Sequence, residues 1–221
     1  MAEDMRNVAS TEGMSEFERG YAVPDCVVLD SAYCSMGRMV AVRACKEAGW
    51  TYHDTVTLLD LVPECGVTPD DVDAFEAKAT APNADLAVLR KSDEYQRISS
   101  AYRLAAERAL AQGHCLIHDR VDKAFIQSLG KTCASAMTYA SDRPAMRVRA
   151  KVSPLYAGLT EDAELDAAIA YEDAHRRAWH ALGSDDTVWG EPATYDLMIN
   201  TDQIGRDFAA RLLAQLMVGQ R

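Results

Sequence analysis

The fold of this chain is constrained most by a short apolar run that ends in a turn of small residues and continues as a helix. Residues 26–30 are mostly apolar and rich in β-branched Val, which is typical of a strand buried on both faces of a parallel sheet. After the turn, the sequence predicts a helix that ends at Gly49 and has an apolar face formed by Met39, Val42 and Cys45. This order of strand, tight turn and helix is typical of a parallel α/β protein.

The turn between this strand and helix is a candidate anion site. A helix that starts directly after such a turn points free N–H groups and the positive end of its dipole at an anion, usually a phosphate. The phosphate-loop consensus is G-x-x-x-x-G-K-[ST], and only Ser35, Gly37 and Arg38 are of a suitable kind here. The turn therefore indicates either a phosphate site or an ordinary connection between a strand and a helix.

Composition and charge limit the kind of ligand that such a site could take. The 221 residues fit one domain, and 48% hydrophobic residues indicate a globular chain with a sizeable core. A formal net charge of −11 argues against general binding to nucleic acid or to an anionic membrane. Any anionic ligand must therefore meet a local cluster of arginines.

The sequence predicts a cytoplasmic protein. No apolar run approaches the roughly 20 residues of a membrane span, and the first residues lack the apolar segment of a signal peptide. The six cysteines lack metal-clip spacing, so we expect free thiols in a reducing compartment and no metal site. Cys34 has two interpretations: an incidental small residue, or a reactive thiol whose pKa is lowered by a helix N-terminus.

The order of predicted elements favours an α/β fold. Residues 1–22 are polar and lack periodicity, which predicts a mobile leader before a single domain at 23–221. Further strands are predicted at residues 50–54, 115–117, 132–139 and 195–200. Helices are predicted at residues 55–65, from 68 onward, and at 92–111, 125–129, 142–150, 160–182 and 203–218, with a loop or partial turn at 83–90. The last helix is expected to bury Ile204, Phe208, Leu212 and Leu216.

Polar residues cluster after several predicted strands, where open α/β sheets place their ligand crevice. These residues are Ser35, Gly37 and Arg38 after the first strand, Asp54 after the second, Arg120 and Asp122 after the third, and the basic set Arg143, Arg147, Arg149, Arg176 and Arg177. Arginine suits phosphoryl transfer, because its planar group grips two phosphate oxygens and stays charged. The alternative is that these arginines lie on solvated helix faces and form i,i+4 pairs.

Several spaced motifs carry a resemblance to a known family. Residues 195–201 match the pattern Tyr-Asp-Leu-x-Ile-Asn-Thr at every specified position. Residues 33–38 read Tyr-Cys-Ser-Met-Gly-Arg, against the pattern Tyr-Gly-Ser-Gly-Gly-Arg. Weaker matches are the short strand ending in Asp54, the turn at Asp119 and Arg120 (Gly-Arg in the family), and Asp-x-x-Arg at residues 173–176. From residue 26 to the C-terminus, the chain resembles the cytidylate kinase-like family of P-loop nucleoside monophosphate kinases.

The resemblance implies a three-layer α/β fold with a parallel five-stranded sheet and helices on both faces. It also implies a helical substrate-binding portion near residues 55–112 and a lid near residues 142–182, whose closure would exclude water from the reaction. The implied cofactor is ATP with Mg²⁺. The implied partners are a nucleotide or a small phosphorylated ligand, with no nucleic acid and no membrane, in a monomer or homodimer.

The resemblance also assigns expected roles to individual residues. The phosphate-binding loop would comprise Tyr33, Cys34, Ser35, Met36, Gly37, Arg38 and Met39. Catalytic contacts would come from Arg38, Arg147, Asp173, Arg176 and Arg177. The acceptor would be bound by Asp54, Arg120 and Asp122.

Three functional hypotheses follow. The first is a phosphotransferase that moves a phosphoryl group from a nucleoside triphosphate to a nucleoside monophosphate or similar small acceptor. The second is a degenerate relative that binds a nucleotide or a protein partner without transfer, because Cys34 and Met36 stand where the family has glycine. The third is a thiol-dependent sensor that acts through Cys34.

Overall fold

A computed structural model describes residues 22–219 of the chain. The predicted leader, residues 1–22, lies outside this range apart from its last residue. The strands are β1 (Cys26–Ser31), β2 (Thr51–His53), β3 (Cys115–His118), β4 (Cys133–Tyr139) and β5 (Leu197–Asn200). The helices are α1 (Gly37–Ala48), α2 (Thr55–Leu59), α3 (Pro69–Ala79), α4 (Leu86–Leu89), α5 (Asp93–Ala111), α6 (Lys123–Ser128), α7 (Arg143–Lys151), α8 (Asp162–Gly183), α9 (Thr201–Ile204) and α10 (Arg206–Val218).

The five strands form one sheet in the order β2-β3-β1-β4-β5. Every pair is parallel, and β1 lies at the centre, where Cys26 pairs with Cys115 of β3 and with Cys133 of β4. The carboxyl ends of all strands therefore meet at one edge, which is where open α/β sheets bind their ligands. The predicted parallel α/β sheet with five strands is confirmed.

Alternate residues of β1 face two different helical layers. Val27 and Leu29 pack with α1 and α10 on one face of the sheet. On the other face, Val28 packs in a larger core with α3, α5 and the C-terminal half of α8, around the buried Trp179. The apolar character of β1 follows from this burial on both faces.

The predicted apolar faces of the first and last helices are confirmed only in part, because Cys45 is buried and Leu212 and Leu216 pack against the core but the other predicted residues are exposed. Met39 is 51% exposed and Val42 is 46% exposed, whereas α1 buries Val40, Ala41, Ala44 and Cys45. In α10 the buried residues are Ala209, Ala210, Leu213, Ala214 and Met217, and Phe208 is exposed. The buried stripes are rich in alanine, which brings these two helices close to the sheet and to each other. The larger side chains that dominate the hydrophobic pattern therefore flank the contact.

Local boundary signals explain where the helices start. The Thr68 hydroxyl accepts from the Asp71 N–H, and the Asp71 carboxylate accepts from the Thr68 N–H, so the predicted start of α3 is a capping box. Ser92, predicted as the first residue of the long helix, instead caps α5 by accepting from the Tyr95 N–H. Two predictions need revision, because residues 83–90 contain the short helix α4 and because Gly205 divides the predicted last helix into α9 and α10.

Within residues 22–219, no helix has both the length and the apolar character to cross a membrane.

Candidate functional site

The turn between β1 and α1 holds two non-glycine residues in the left-handed region of backbone space. Cys34 has φ 64° and Met36 has φ 62°. These are the two positions where the resembling family carries glycine, and a side chain there costs about 1–2 kcal/mol per residue. Strained backbone of this kind often lies at functional sites, so the turn is a candidate binding site.

The N-terminus of α1 has no protein cap. Met36 occupies the cap position without a side-chain hydrogen bond, and the first turn holds no acidic residue. The earliest helical bond of this turn runs from the Val40 N–H to the Met36 carbonyl. The N–H groups of residues 37–39 precede it, so they point out of the helix end and can receive an anion.

Close packing holds this turn against the sheet. A Cβ on Gly37 would lie 2.7 Å from Thr138 Oγ1 and would also overlap Ser31, so only glycine fits there. The Ser35 side chain is fully buried, and its hydroxyl lies 3.0 Å from Thr138 Oγ1. Ser35 therefore fixes the turn to β4, and its hydroxyl is directed at the sheet rather than at the helix N-terminus.

Arg38, in the first turn of α1, forms an ion pair with Asp54. Arg38 is the second residue of α1 and is largely exposed, and its guanidinium lies 3.3 Å from Asp54 Oδ2. Asp54 follows β2 and caps α2 by accepting from the Thr57 N–H. Burial disfavours the ionised carboxyl, but the hydrogen bonds from Thr57 and the charge of Arg38 outweigh it and hold the pKa of Asp54 below its ordinary value.

The segment from α7 to α8 covers the other side of the turn. The Tyr33 N–H donates to Asp173 Oδ1 at 2.6 Å, and the Tyr33 hydroxyl donates to Ser153 Oγ at 2.9 Å. Burial, partly offset by the Tyr33 N–H and by Arg176, raises the pKa of Asp173. Burial also raises the pKa of Cys34 to about 11. This shift favours the protonated thiol, so the lowered pKa that the sequence suggested as one interpretation of Cys34 is not supported here.

A second strained turn follows β3. Asp119 has φ 65° and Arg120 has φ 73°, at the positions of the family's Gly-Arg turn. The buried Arg120 guanidinium pairs with Glu76 of α3 and stacks over the Trp179 ring, 5.2 Å from its centroid. Burial opposes the charge of Arg120, but the carboxylates of Glu76 and Asp119 outweigh it and raise the Arg120 pKa.

A cavity of about 200 Å³ opens at the carboxyl edge of the sheet, between β1, β4, α6 and α8. It brings together Arg120, Asp122 and Arg176 from the predicted site residues. Asp122 also caps α6 by accepting from the Phe125 N–H at 2.7 Å. Arg176 lies 3.8 Å from Asp119 Oδ2 and packs over the Tyr33 ring, so it joins the cavity to the turn.

Two predicted arginines lie apart from this cavity. Arg147 is held by Asp162 at 2.6 Å and by Asp166 at 2.7 Å, both in the first turns of α8. Arg177 is exposed and lies over the Trp189 ring. Their expected catalytic roles remain predictions.

Several residues of the cavity escaped the sequence analysis. Asp30 is the next-to-last residue of β1 and lines the cavity together with His180 and Tyr195. A charged residue at the end of an apolar strand was the available signal for Asp30. Tyr195 belongs to the C-terminal motif, but the motif carries no indication that its hydroxyl reaches β1. His180 gave no signal, because its partners are distant in sequence.

Among the comparisons with known proteins, the likeness to solved structures shows which fold the chain has. No protein-family model matches the chain, and no curated protein matches it. An uncharacterized protein from Eubacterium ventriosum ATCC 27560 is similar in structure, with a TM-score of 0.60 at 12% identity over 87% of this chain and 98% of that one. A shikimate kinase from Bacteroides thetaiotaomicron is also similar, with a TM-score of 0.51 at 9% identity over 87% of this chain and 98% of that one.

The sheet order, the turn after β1 and the structural neighbours together define the class of the fold. The chain has a three-layer α/β fold similar to that of the shikimate kinase, with a parallel five-stranded sheet and a tight turn that leads from the central strand into α1. At such low identity the likeness is one of fold, and the activity and the substrate follow only from the site itself.

Proposed function

We propose that this protein is a cytidylate kinase-like phosphotransferase that moves a phosphoryl group from a nucleoside triphosphate to a small acceptor. The observation that carries the proposal is the uncapped N-terminus of α1 beside an arginine-lined cavity. Phosphoryl transfer needs little covalent chemistry from the protein, so positioning and charge neutralisation are the main requirements. The chain offers both at the same edge of the sheet.

The donor phosphates would bind at the turn between β1 and α1. The N–H groups at the start of α1 and the Arg38 guanidinium supply positive potential there. Asp54, which the resemblance assigned to the acceptor, does not line the cavity, and its carboxylate would instead offer an oxygen ligand of the kind that Mg²⁺ prefers. When bound, Mg²⁺ supplies charge neutralisation on the phosphate oxygens.

The acceptor would bind in the cavity beside the turn. Arg120 and Arg176 line it, and the Nε atom of each is buried without a hydrogen-bond partner within residues 22–219. Arg120 already pairs with Glu76, and Arg176 lies 3.8 Å from Asp119, so an anionic group of a ligand would add a charge-assisted hydrogen bond to guanidiniums that are held in place. The segment 142–182 would act as the lid over both ligands, with Asp173 and Arg176 as its contacts to the turn.

A second candidate is a nucleotide-binding protein without transfer. Two observations favour it: Cys34 and Met36 carry side chains on a backbone suited to glycine, and the Asp173 carboxylate already accepts the Tyr33 N–H. Both would weaken the contact between the turn and a phosphate. The cytoplasmic location and the monomeric or homodimeric state stay predictions.

The two candidates are separated by a transfer assay with ATP and Mg²⁺. Release of ADP is measured with a panel of nucleoside monophosphates and small hydroxy acids, and nucleotide binding is measured in parallel by thermal unfolding. The phosphotransferase is expected to release ADP only when an acceptor is present. Stabilisation by ATP without turnover on any acceptor would contradict it and support the binding protein.

A further inference from the structure

Asp30 is a charged residue near the carboxyl end of the central strand β1, and its side chain lines the cavity. The Tyr195 hydroxyl donates to Asp30 Oδ2 at 2.7 Å. His180 Nδ1 lies 3.3 Å from the same oxygen, and His180 Nε2 lies 2.9 Å from the Thr187 hydroxyl. Three separate segments of the chain therefore converge to orient one carboxylate.

Both contacts of this carboxylate use Oδ2. In residues 22–219, Oδ1 makes no hydrogen bond and no ion pair. The Asp30 side chain is 20% exposed and lines the cavity, so Oδ1 is available to a ligand. One oxygen is anchored and the other is free, which is the geometry expected of a general base.

The rest of the cavity constrains the ligand that would meet this base. Its volume of about 200 Å³ is below the roughly 300–1,000 Å³ typical of pockets for drug-sized ligands. Arg120, Arg176 and Lys123 line the cavity with positive charge beside Asp119 and Asp122, and an arginine guanidinium favours an anionic group. Val28 and Trp179 add apolar walls. These features fit a small molecule that carries an anionic group and an apolar carbon skeleton.

We propose that the acceptor is a small hydroxylated acid and that Asp30 is the general base for its hydroxyl group; this inference rests on the phosphotransferase function proposed above. The acceptor O–H bond breaks and its proton moves to Asp30 Oδ1. The acceptor oxygen forms a bond to the γ-phosphorus of the nucleoside triphosphate. The bond from that phosphorus to the β–γ bridging oxygen breaks, and the nucleoside diphosphate leaves with the bond electrons.

A hydroxyl acceptor fits Asp30 better than a phosphate acceptor. The attacking oxygen of a nucleoside monophosphate is already ionised near neutral pH, so it needs no base. It would also be repelled by a carboxylate close by, which disfavours its binding. A neutral hydroxyl instead donates to a carboxylate and becomes a nucleophile as its proton is transferred.

Tyr195 and His180 act on the reaction through Asp30 and are positioning residues. Removal of the Tyr195 hydroxyl leaves the Asp30 carboxylate intact but less well oriented. We therefore expect Tyr195→Phe to lower kcat about tenfold while KM for the acceptor changes less than threefold. If Tyr195 only stabilised the fold, Tyr195→Phe would lower the stability of the protein, and kcat would not fall while KM stays nearly constant.

The test measures transfer from ATP–Mg²⁺ to glycerate, gluconate and shikimate, with CMP, UMP, AMP and GMP as the contrasting acceptors. Wild type is expected to phosphorylate at least one hydroxy acid in preference to the monophosphates. Asp30→Asn is expected to lose at least 100-fold in kcat, as removal of a general base predicts, while its affinity for ATP is unchanged. The matched control is Asp25→Asn, because Asp25 lies at the opposite edge of the sheet next to Thr132 and away from the cavity.

Four outcomes would overturn the inference. Transfer to nucleoside monophosphates alone would overturn it and leave the phosphotransferase function standing. A loss below threefold in Asp30→Asn would show that Asp30 is not the base. Recovery of Asp30→Asn by excess Mg²⁺ would show a metal ligand instead of a base. Binding of ATP without transfer to any acceptor would overturn both this inference and the proposed function.

Discussion

The Asp173 carboxylate accepts a hydrogen bond from the Tyr33 backbone N–H, with 2.6 Å between Oδ1 and the nitrogen. The two residues are 140 positions apart in the chain, and their contact joins α8 to the turn after β1. A carboxylate thus lies against the turn that would have to receive the phosphates of a nucleotide. The negative charge of Asp173 would repel the negatively charged phosphates.

Replacement of this carboxylate by an amide should strengthen nucleotide binding. Asp173→Asn keeps an acceptor for the Tyr33 N–H but removes the negative charge, so Kd for ATP should fall about threefold to tenfold by the Coulomb energy of nearby charges. Isothermal titration measures the change, with the exposed Glu164→Gln of the same helix as the control. Weaker binding by Asp173→Asn would show that the carboxylate itself helps to hold the nucleotide complex.

The left-handed backbone at Met36 predicts that replacement by glycine is tolerated at this position. Met36→Gly relieves about 1–2 kcal/mol of backbone strain and loses about 0.5–1 kcal/mol through the flexibility of glycine in the unfolded chain. We therefore expect its free energy of unfolding to stay within about 1 kcal/mol of wild type. Met36→Val should be clearly less stable, because a β-branched residue at φ 62° is a steric outlier. Urea denaturation compares the two, and equal stability of both variants would contradict the assigned backbone conformation.

Gly37 should be the least replaceable residue of the turn. An added methyl group would lie 2.7 Å from Thr138 Oγ1 and would overlap Ser31, so Gly37→Ala should cost about 2–3 kcal/mol of unfolding free energy. The control is Gly158→Ala, since a Cβ there meets no atom within 4 Å. Its effect should be below about 0.5 kcal/mol. Similar thermal stability of the two variants would rule out the close packing of α1 on β1.

The buried pair of Glu76 and Arg120 predicts a pH-dependent effect. Glu76→Gln leaves the Arg120 charge without its partner and should cost about 3–5 kcal/mol near neutral pH. Burial opposes ionisation of Glu76, but Arg120 and His175 outweigh it and hold the Glu76 pKa below its ordinary value of 4.5. The contribution of the carboxylate is therefore present above pH 4.5 and is lost as the pH falls through the lowered pKa.

The difference in unfolding free energy between wild type and Glu76→Gln should shrink as the pH is lowered below 4.5. Urea denaturation over this pH range measures it. The control is Glu94→Gln, which removes an exposed pair with Lys78 and should cost less than about 1 kcal/mol. A difference that stays constant down to acid pH would contradict the ion pair.

The architecture was predictable because it depends on local signals. Buried strands, helix starts such as Thr68 and turn residues such as Gly49 are read within a few positions, and their order predicts a parallel sheet. The buried faces of α1 and α10 were predictable only in part in this way. Their contact is made by alanines, and a hydrophobic pattern gives most weight to larger residues such as Met39 and Phe208, which are exposed.

The candidate site was predictable only in part, for two physical reasons. The residue types Met and Asp do not predict the backbone conformation at Met36 and Asp119, because both residues occupy the left-handed φ/ψ region that glycine favours. The orientation of Asp30 depends on Tyr195, 165 residues away, and on His180. Such long-range contacts leave no periodicity in the sequence. A polar residue at the carboxyl end of a buried strand is the signal to follow in similar chains.

If the uncapped end of α1 receives the phosphates of a nucleotide, the side chain at Met36 should control ATP binding, and titration of ATP–Mg²⁺ into two variants of Met36 measures this. Met36→Glu places a carboxylate at the cap position, where it favours the helix by about 0.3–1 kcal/mol but repels phosphate. Met36→Gln is the neutral match. Wild type and Met36→Gln are expected to bind one ATP with Kd values within threefold of each other, and Met36→Glu to bind at least tenfold more weakly. Equal ATP binding by all three proteins, or none by wild type, would contradict the claim.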